Sequence, residues 1–181
     1  MIIYEPKRVD REAFVKFWSQ RYQYAQEHLY YDNIGQSPTI ERVLALFIWK
    51  NGTPLSALKL QSVRQNFVQR IDELKSIPVE ENASAFLERF SAGGAIWRIF
   101  WLHCWQPNKF PIYDQHVHRA MTFIKTRSKE EIPAYDPRKI DSYINRYLPF
   151  YLEFQGIEHR EVDKALWSFG KFLSESNFPL C

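Results

Sequence analysis

Apolar residues recur along this chain at the three-to-four spacing of helices, and strict period-two alternation is almost absent. Phe14, Phe17, Trp18 and Tyr22 form one such stripe behind Asp10, a residue suited to cap a helix. The pattern predicts a first helix reaching about Tyr31, then a loop over Asp32–Pro38. Thr39 is the expected cap of a second helix, carrying Val43, Leu44, Phe47 and Ile48 and stopped at Asn51-Gly52. Thr53-Pro54 is expected to open a third, with proline at a tolerated early position. Glu80–Ser91 shows a face of Phe86, Leu87 and Phe90. Ala92-Gly93-Gly94 interrupts it, and Ala95–Trp105 resumes as a strongly apolar helix. Asp114 is placed to start a helix ending near Thr126. Further helices are predicted over Arg138–Gln155, bent at Pro149, and over Arg160–Ser174. The expectation is an all-α fold of about eight helices in one compact domain, 1–181. Its possible lobes are 36–127 and 1–35 with 128–181, with a cleft between them.

The 181 residues are 45% hydrophobic and 17% aromatic, which argues for a packed core and against disorder. A formal charge of +3 is compatible with a nucleic-acid partner without requiring one. The two cysteines, Cys104 and Cys181, form no CxxC, so a zinc knuckle or a four-cysteine iron–sulfur cluster cannot be built. His103, Cys104, His116 and His118 lack zinc spacing; neither metal nor cofactor is expected. His103, inside an apolar helix, reads as a core histidine with its hydrogen bonds met. Arg119 reads as an ion-pair partner. The start, Met1 to Pro6, is too short and too soon charged for a signal peptide, and no apolar run is long enough for a membrane span. A monomer in a reducing cytoplasm is expected.

The segment with the most chemical content runs from Phe90 to Met121. Adjacent glycines at Gly93-Gly94 permit a tight turn and a close approach by a ligand, and the following helix would present its first N–H groups to an anion. Twenty positions beyond Gly94, Asp114 stands in Tyr113-Asp114-Gln115-His116-Val117-His118-Arg119. This layout resembles that of the helix-hairpin-helix DNA glycosylases, in which a Leu-Pro-Gly-X-Gly hairpin is followed by an apolar helix and a Val-Asp-Thr-His-Val-X-Arg-like stretch. Phe90-Ser91-Ala92-Gly93-Gly94 occupies the hairpin, with Ser91 in place of the proline and Ala92 in place of the first glycine. The lysine nucleophile of bifunctional members aligns with Ile96, which cannot form a Schiff base.

The resemblance implies a monofunctional DNA glycosylase that excises a damaged or modified base from double-stranded DNA in base excision repair. Asp114 would be the catalytic carboxylate, stabilising positive charge on the deoxyribose and activating water. Ala92, Gly93, Gly94, Arg98 and Lys109 would contact DNA, with Lys50 and Lys125 as further phosphate candidates. Trp49, Asn51 and Tyr113 would line a base pocket or wedge into the duplex. The alternative is a non-catalytic DNA-binding or protein-interaction module on the same scaffold.

Overall fold

A computed structural model describes residues 10–175; Met1–Pro6 and Cys181 lie outside them. Among the described residues the protein is all-α: α1 (Arg11–Ser19), α2 (Glu27–Tyr31), α3 (Ile40–Asn51), α4 (Ala57–Asn66), α5 (Ile71–Lys75), α6 (Ala83–Arg89), α7 (Ala95–Trp105), α8 (Gln115–Thr126), α9 (Asp136–Ser142), α10 (Leu148–Tyr151) and α11 (His159–Glu175). A π turn over Tyr143–Tyr147 joins α9 to α10, so that stretch is one run of helical turns. With it counted once, and the 3-10 turn Val68–Arg70 counted with α5, nine runs among the described residues have seven residues or more, in keeping with the expected number of about eight.

Local chemistry explains the boundaries that agree. Thr39 caps α3 by accepting from the Arg42 amide, and Gly52 ends that helix in the left-handed conformation. α7 and α8 fall where the apolar pattern put them, and Asp114 caps α8.

Other boundaries differ. The first helix stops at Ser19 because Tyr22 and Tyr24 are drawn into tertiary hydrogen bonds. The Tyr22 hydroxyl donates to Glu27 and the Tyr24 hydroxyl to the Trp49 carbonyl, so the chain leaves the helix and restarts at α2. Thr53-Pro54 does not open a helix. Asn51 Nδ2 donates to the Thr53 carbonyl and hydroxyl, holding those residues in a turn, and Ser56 caps α4 instead. Asn82, not Glu80, begins α6. Pro149 has no N–H to offer, and the π turn just before it shifts the register rather than ending the helix.

A single cluster of buried apolar residues extends from Val15 through Phe47, Trp101, Tyr113 and Tyr147 to Leu166. Its densest part is aromatic. Phe47 stacks on Phe67 and Trp97 at 4.7 and 5.1 Å between ring centroids. α11 packs on α1 and α8. The approach to α8 depends on Gly170, where an added Cβ would lie 1.9 Å from the His116 carbonyl oxygen. That contact sits in the first turn of α8, beside Asp114. No described helix is long and apolar enough to cross a membrane.

Candidate functional site

The start of α8, the end of α3, the first half of α11 and the chain between α1 and α2 meet around a small cavity of about 40 Å³. Its walls are aromatic: Tyr22, Tyr24, Trp49 and Trp167. Lys50, Asp114, Arg160 and Asp163 supply its charge, with Ile112 and Val117 completing the lining.

Asp114 is held from two sides. Its Oδ1 accepts from the amides of His116 at 2.9 Å and Val117 at 3.2 Å, and its Oδ2 accepts from Lys50 Nζ at 3.1 Å. Burial opposes ionisation of the carboxyl. The Lys50 and His116 charges and the helix amides outweigh it, so Asp114 sits below the usual aspartate range. The side chain remains 19% exposed. A carboxylate has about four lone-pair positions, so the three bonds leave it capacity for one more partner, and Asp114 is among the cavity's lining residues. Asp114 is thus a helix cap and an ionised group at a cavity wall at once. Lys50, 9% exposed, lies 5.9 Å from the Phe100 ring centroid. Removing one partner of a buried pair leaves the other uncompensated. Lys50→Met is therefore expected to destabilise the fold by about 3 kcal/mol in urea denaturation, while Lys50→Arg costs less.

A second network braces the aromatic wall. Glu27 accepts from Trp49 Nε1 at 3.0 Å, from the Tyr22 hydroxyl at 2.8 Å and from Arg160 at 2.5 Å. The Arg160 guanidinium lies over Tyr30, 4.3 Å from its ring centroid. Asp163 differs from these groups. It is 4% exposed, makes no ion pair among the described residues, and its Oδ1 has no hydrogen-bond partner. Burial is the main cause of its altered titration. Against Arg160, Lys50 and the Ile112 amide, it pushes the carboxyl up to about 7.

Of the three residues expected at a base pocket, only Trp49 lines the cavity. Asn51 is spent on the turn after α3, where its Oδ1 also accepts from Lys59. Tyr113 is fully buried away from the cavity, its hydroxyl bonded to Ser142 and to His118 Nδ1.

The glycine turn sits elsewhere. Ser91, Ala92 and Gly94 are exposed, and Gly93 has φ +88°, a conformation that favours glycine. The helix N–H groups behind it were expected to be free. Instead the Ala95 amide donates to Asp136 Oδ2 at 3.0 Å, so a carboxylate of this chain already holds the start of α7. Arg98 points back into the fold, donating to the Phe90 and Leu87 carbonyls and closing the end of α6. Lys109 is exposed, with its ammonium on the Glu81 carbonyl at 3.0 Å. Lys125 pairs with Glu153 at 2.6 Å.

His103 bridges the Phe110 carbonyl and the Tyr30 hydroxyl, and burial holds it down to about 3 and therefore neutral. Arg119 pairs with Glu131 and reaches the Gly170 carbonyl. Among the described residues no group of three or more His, Cys, Asp or Glu gathers as a metal site.

Tyr22, Tyr24, Glu27, Arg160, Asp163 and Trp167 were not singled out as site residues by the sequence. Asp163 had a legible signal, since it stands on the same helical stripe as Leu166 and Gly170, where a carboxylate is out of place. The tyrosines had none, because only tertiary contact removes them from a helix.

A larger cavity of about 250 Å³ lies among Val43, Leu46, Leu74, Ile77, Trp101 and Trp105. No carboxylate is among its lining residues; Arg42, Lys75 and Cys104 are its titratable ones.

No protein-family model matches the chain, and neither does any curated protein or solved structure.

Proposed function

We propose that the protein is a monofunctional DNA glycosylase that hydrolyses the N-glycosidic bond of a damaged or modified nucleotide at the Asp114 cavity. One observation carries the reading: an ionised carboxylate, fixed by two helix amides and a lysine, opens onto a cavity walled by four aromatic rings. Loss of a base leaves positive charge on the sugar, and a fixed anion beside it lowers that barrier without reorganising during the reaction. Aromatic walls suit a flat base taken out of the stack.

The cavity, about 40 Å³, has room for a few waters, whereas ligand pockets typically measure roughly 300–1,000 Å³. Substrate entry therefore requires a wall to move. Tyr22, Tyr24, Ile112 and Asp114 line it from outside the helices; Asp114 is fixed as the α8 cap, which leaves the Tyr22–Tyr24 stretch, tethered by the Tyr24 hydroxyl to the Trp49 carbonyl at 2.7 Å, as the proposed moving wall. The test is incubation with a panel of modified-base duplexes followed by alkaline cleavage of abasic sites. Strand breaks that depend on alkali support the reading.

The glycine turn is the proposed contact for a backbone phosphate, which would take over the Ala95 amide from Asp136. Non-specific duplex binding is expected in the micromolar range or weaker, falling steeply with salt. Asp136→Asn removes the competing anion and is expected to tighten that binding, while a bulky residue at Gly94 weakens it at every sequence. Electrophoretic titration at two salt concentrations checks both. Binding that ignores Asp136 and salt alike favours the second reading, a protein-interaction module, for which the small size of the cavity speaks.

A further inference from the structure

The cavity holds two carboxyl groups in opposite settings. Asp114 is ionised against Lys50 and helix amides. Asp163, one helix away, has no cation paired with it among the described residues and carries an oxygen, Oδ1, with no partner at all. A buried polar atom left unbonded costs free energy unless something else fills its need. The cavity it lines is the available source. Where neighbouring carboxyls are driven apart in protonation, the protonated one is placed to act as acid and the other as anion.

We propose that Asp163 is the general acid that protonates the departing base, and that the substrate base is therefore uncharged before the reaction rather than a cationic alkylated one. This rests on the glycosylase reading of the Asp114 cavity. As the C1′–N bond breaks, its electron pair leaves with the base, and the Asp163 proton moves to a ring nitrogen or oxygen so that the base departs neutral. Water adds to the sugar cation held beside Asp114, and its proton returns to the Asp163 carboxylate. The sum is hydrolysis, with no further reactant. A base already carrying a positive charge leaves as a neutral molecule without this proton, so an acid buried at such cost serves only the uncharged class.

The groups facing Asp163 are Lys50 of α3, Tyr30 of α2, Asp114 at the start of α8, Arg160 on its own helix, Tyr143 and Tyr147 of the π turn, and Tyr151 of α10. The tyrosines are all held above their ordinary range, mainly by burial, and stay neutral. Arg160 stays charged. Asp163 is thus the group in this set that titrates near neutrality.

The experiment compares single-turnover base release from duplexes carrying hypoxanthine, uracil or 8-oxoguanine with release from one carrying 7-methylguanine, across pH 5 to 9. The wild type is expected to release an uncharged base, with a rate that falls as pH rises through about 7. Asp163→Asn keeps a side-chain oxygen for the Ile112 amide but has no proton to give. It is expected to lose roughly 10²-fold or more on that base and to lose the alkaline fall, while Asp163→Glu keeps both in part. Carboxyl carbon shifts in the wild type, followed by NMR, report the same titration without any variant.

Asp163→Asn as fast as wild type with the same pH profile overturns the assignment, as does release of 7-methylguanine alone or an Asp163 carboxyl that titrates below 5. In those cases base release itself still stands. No release from any duplex overturns the glycosylase reading and this one together.

Discussion

Asp114→Asn is expected to reduce base release by roughly 10²–10⁴-fold, the usual loss when a positioned base or charge stabiliser is removed. DNA binding should be unchanged. Asparagine is a good helix cap, and its side-chain oxygen can still accept from the His116 and Val117 amides. What it cannot do is balance Lys50 or the sugar cation. The variant should therefore melt somewhat lower than wild type and remain folded, so the rate loss and the stability loss can be read separately. Asp114→Ala removes the cap too and should melt lower still. The pH dependence has a definite sign. Asp114 is depressed in the folded protein, so its contribution to stability is complete above the ordinary aspartate value and is lost as pH falls through its own, lower one. A melting series between pH 2 and 5 checks this.

The second large effect is on folding. In an exposed helix, replacing glycine by alanine stabilises by about 1 kcal/mol. At Gly170 the sign reverses, because the new methyl carbon would stand 1.9 Å from the His116 carbonyl, a backbone atom that cannot turn aside. Overpacking typically costs about 1–3 kcal/mol where side chains can yield; here α8 and α11 must separate. Gly170→Ala is expected to destabilise by about 3 kcal/mol or more, roughly a 10 °C fall in melting temperature for a chain of this size. The displacement also moves Asp114 away from Asp163 and Trp167, so activity per folded molecule should fall with it. Scanning calorimetry checks the first effect, and base release at a temperature where the variant is fully folded checks the second. An unchanged melting temperature would mean that the two helices do not touch at this point.

The helices with a clear apolar stripe and a capping residue were legible in the sequence. α3 with Thr39 and Gly52, and α8 behind Asp114, are such cases; α7 was legible from its apolar run after the glycines, without a capping side chain of its own. Where a side chain serves a distant partner, local pattern misleads. Tyr22 fits a helical stripe, yet its hydroxyl is held by Glu27 and Arg160, and the helix ends before it. Asp114 was singled out because it stands twenty positions beyond Gly94 in a stretch that resembles a known motif. Its cavity partners come from α3 and from α11, nearly fifty positions later, and no spacing rule joins them. The cationic side chains near the turn show the opposite failure. Arg98 and Lys109 have the right charge, but their donors meet carbonyls at the ends of neighbouring segments, a use that charge alone does not reveal.

The Asp114 cavity is proposed to break an N-glycosidic bond. Chromatographic detection of free base after single-turnover incubation with the modified-base duplexes measures this directly. One uncharged modified base should be released, leaving an abasic strand, and Asp114→Asn should release none on the same timescale while still shifting the duplex in a gel. Free base formed equally fast by Asp114→Asn, or no free base from any duplex with the wild type, would contradict it.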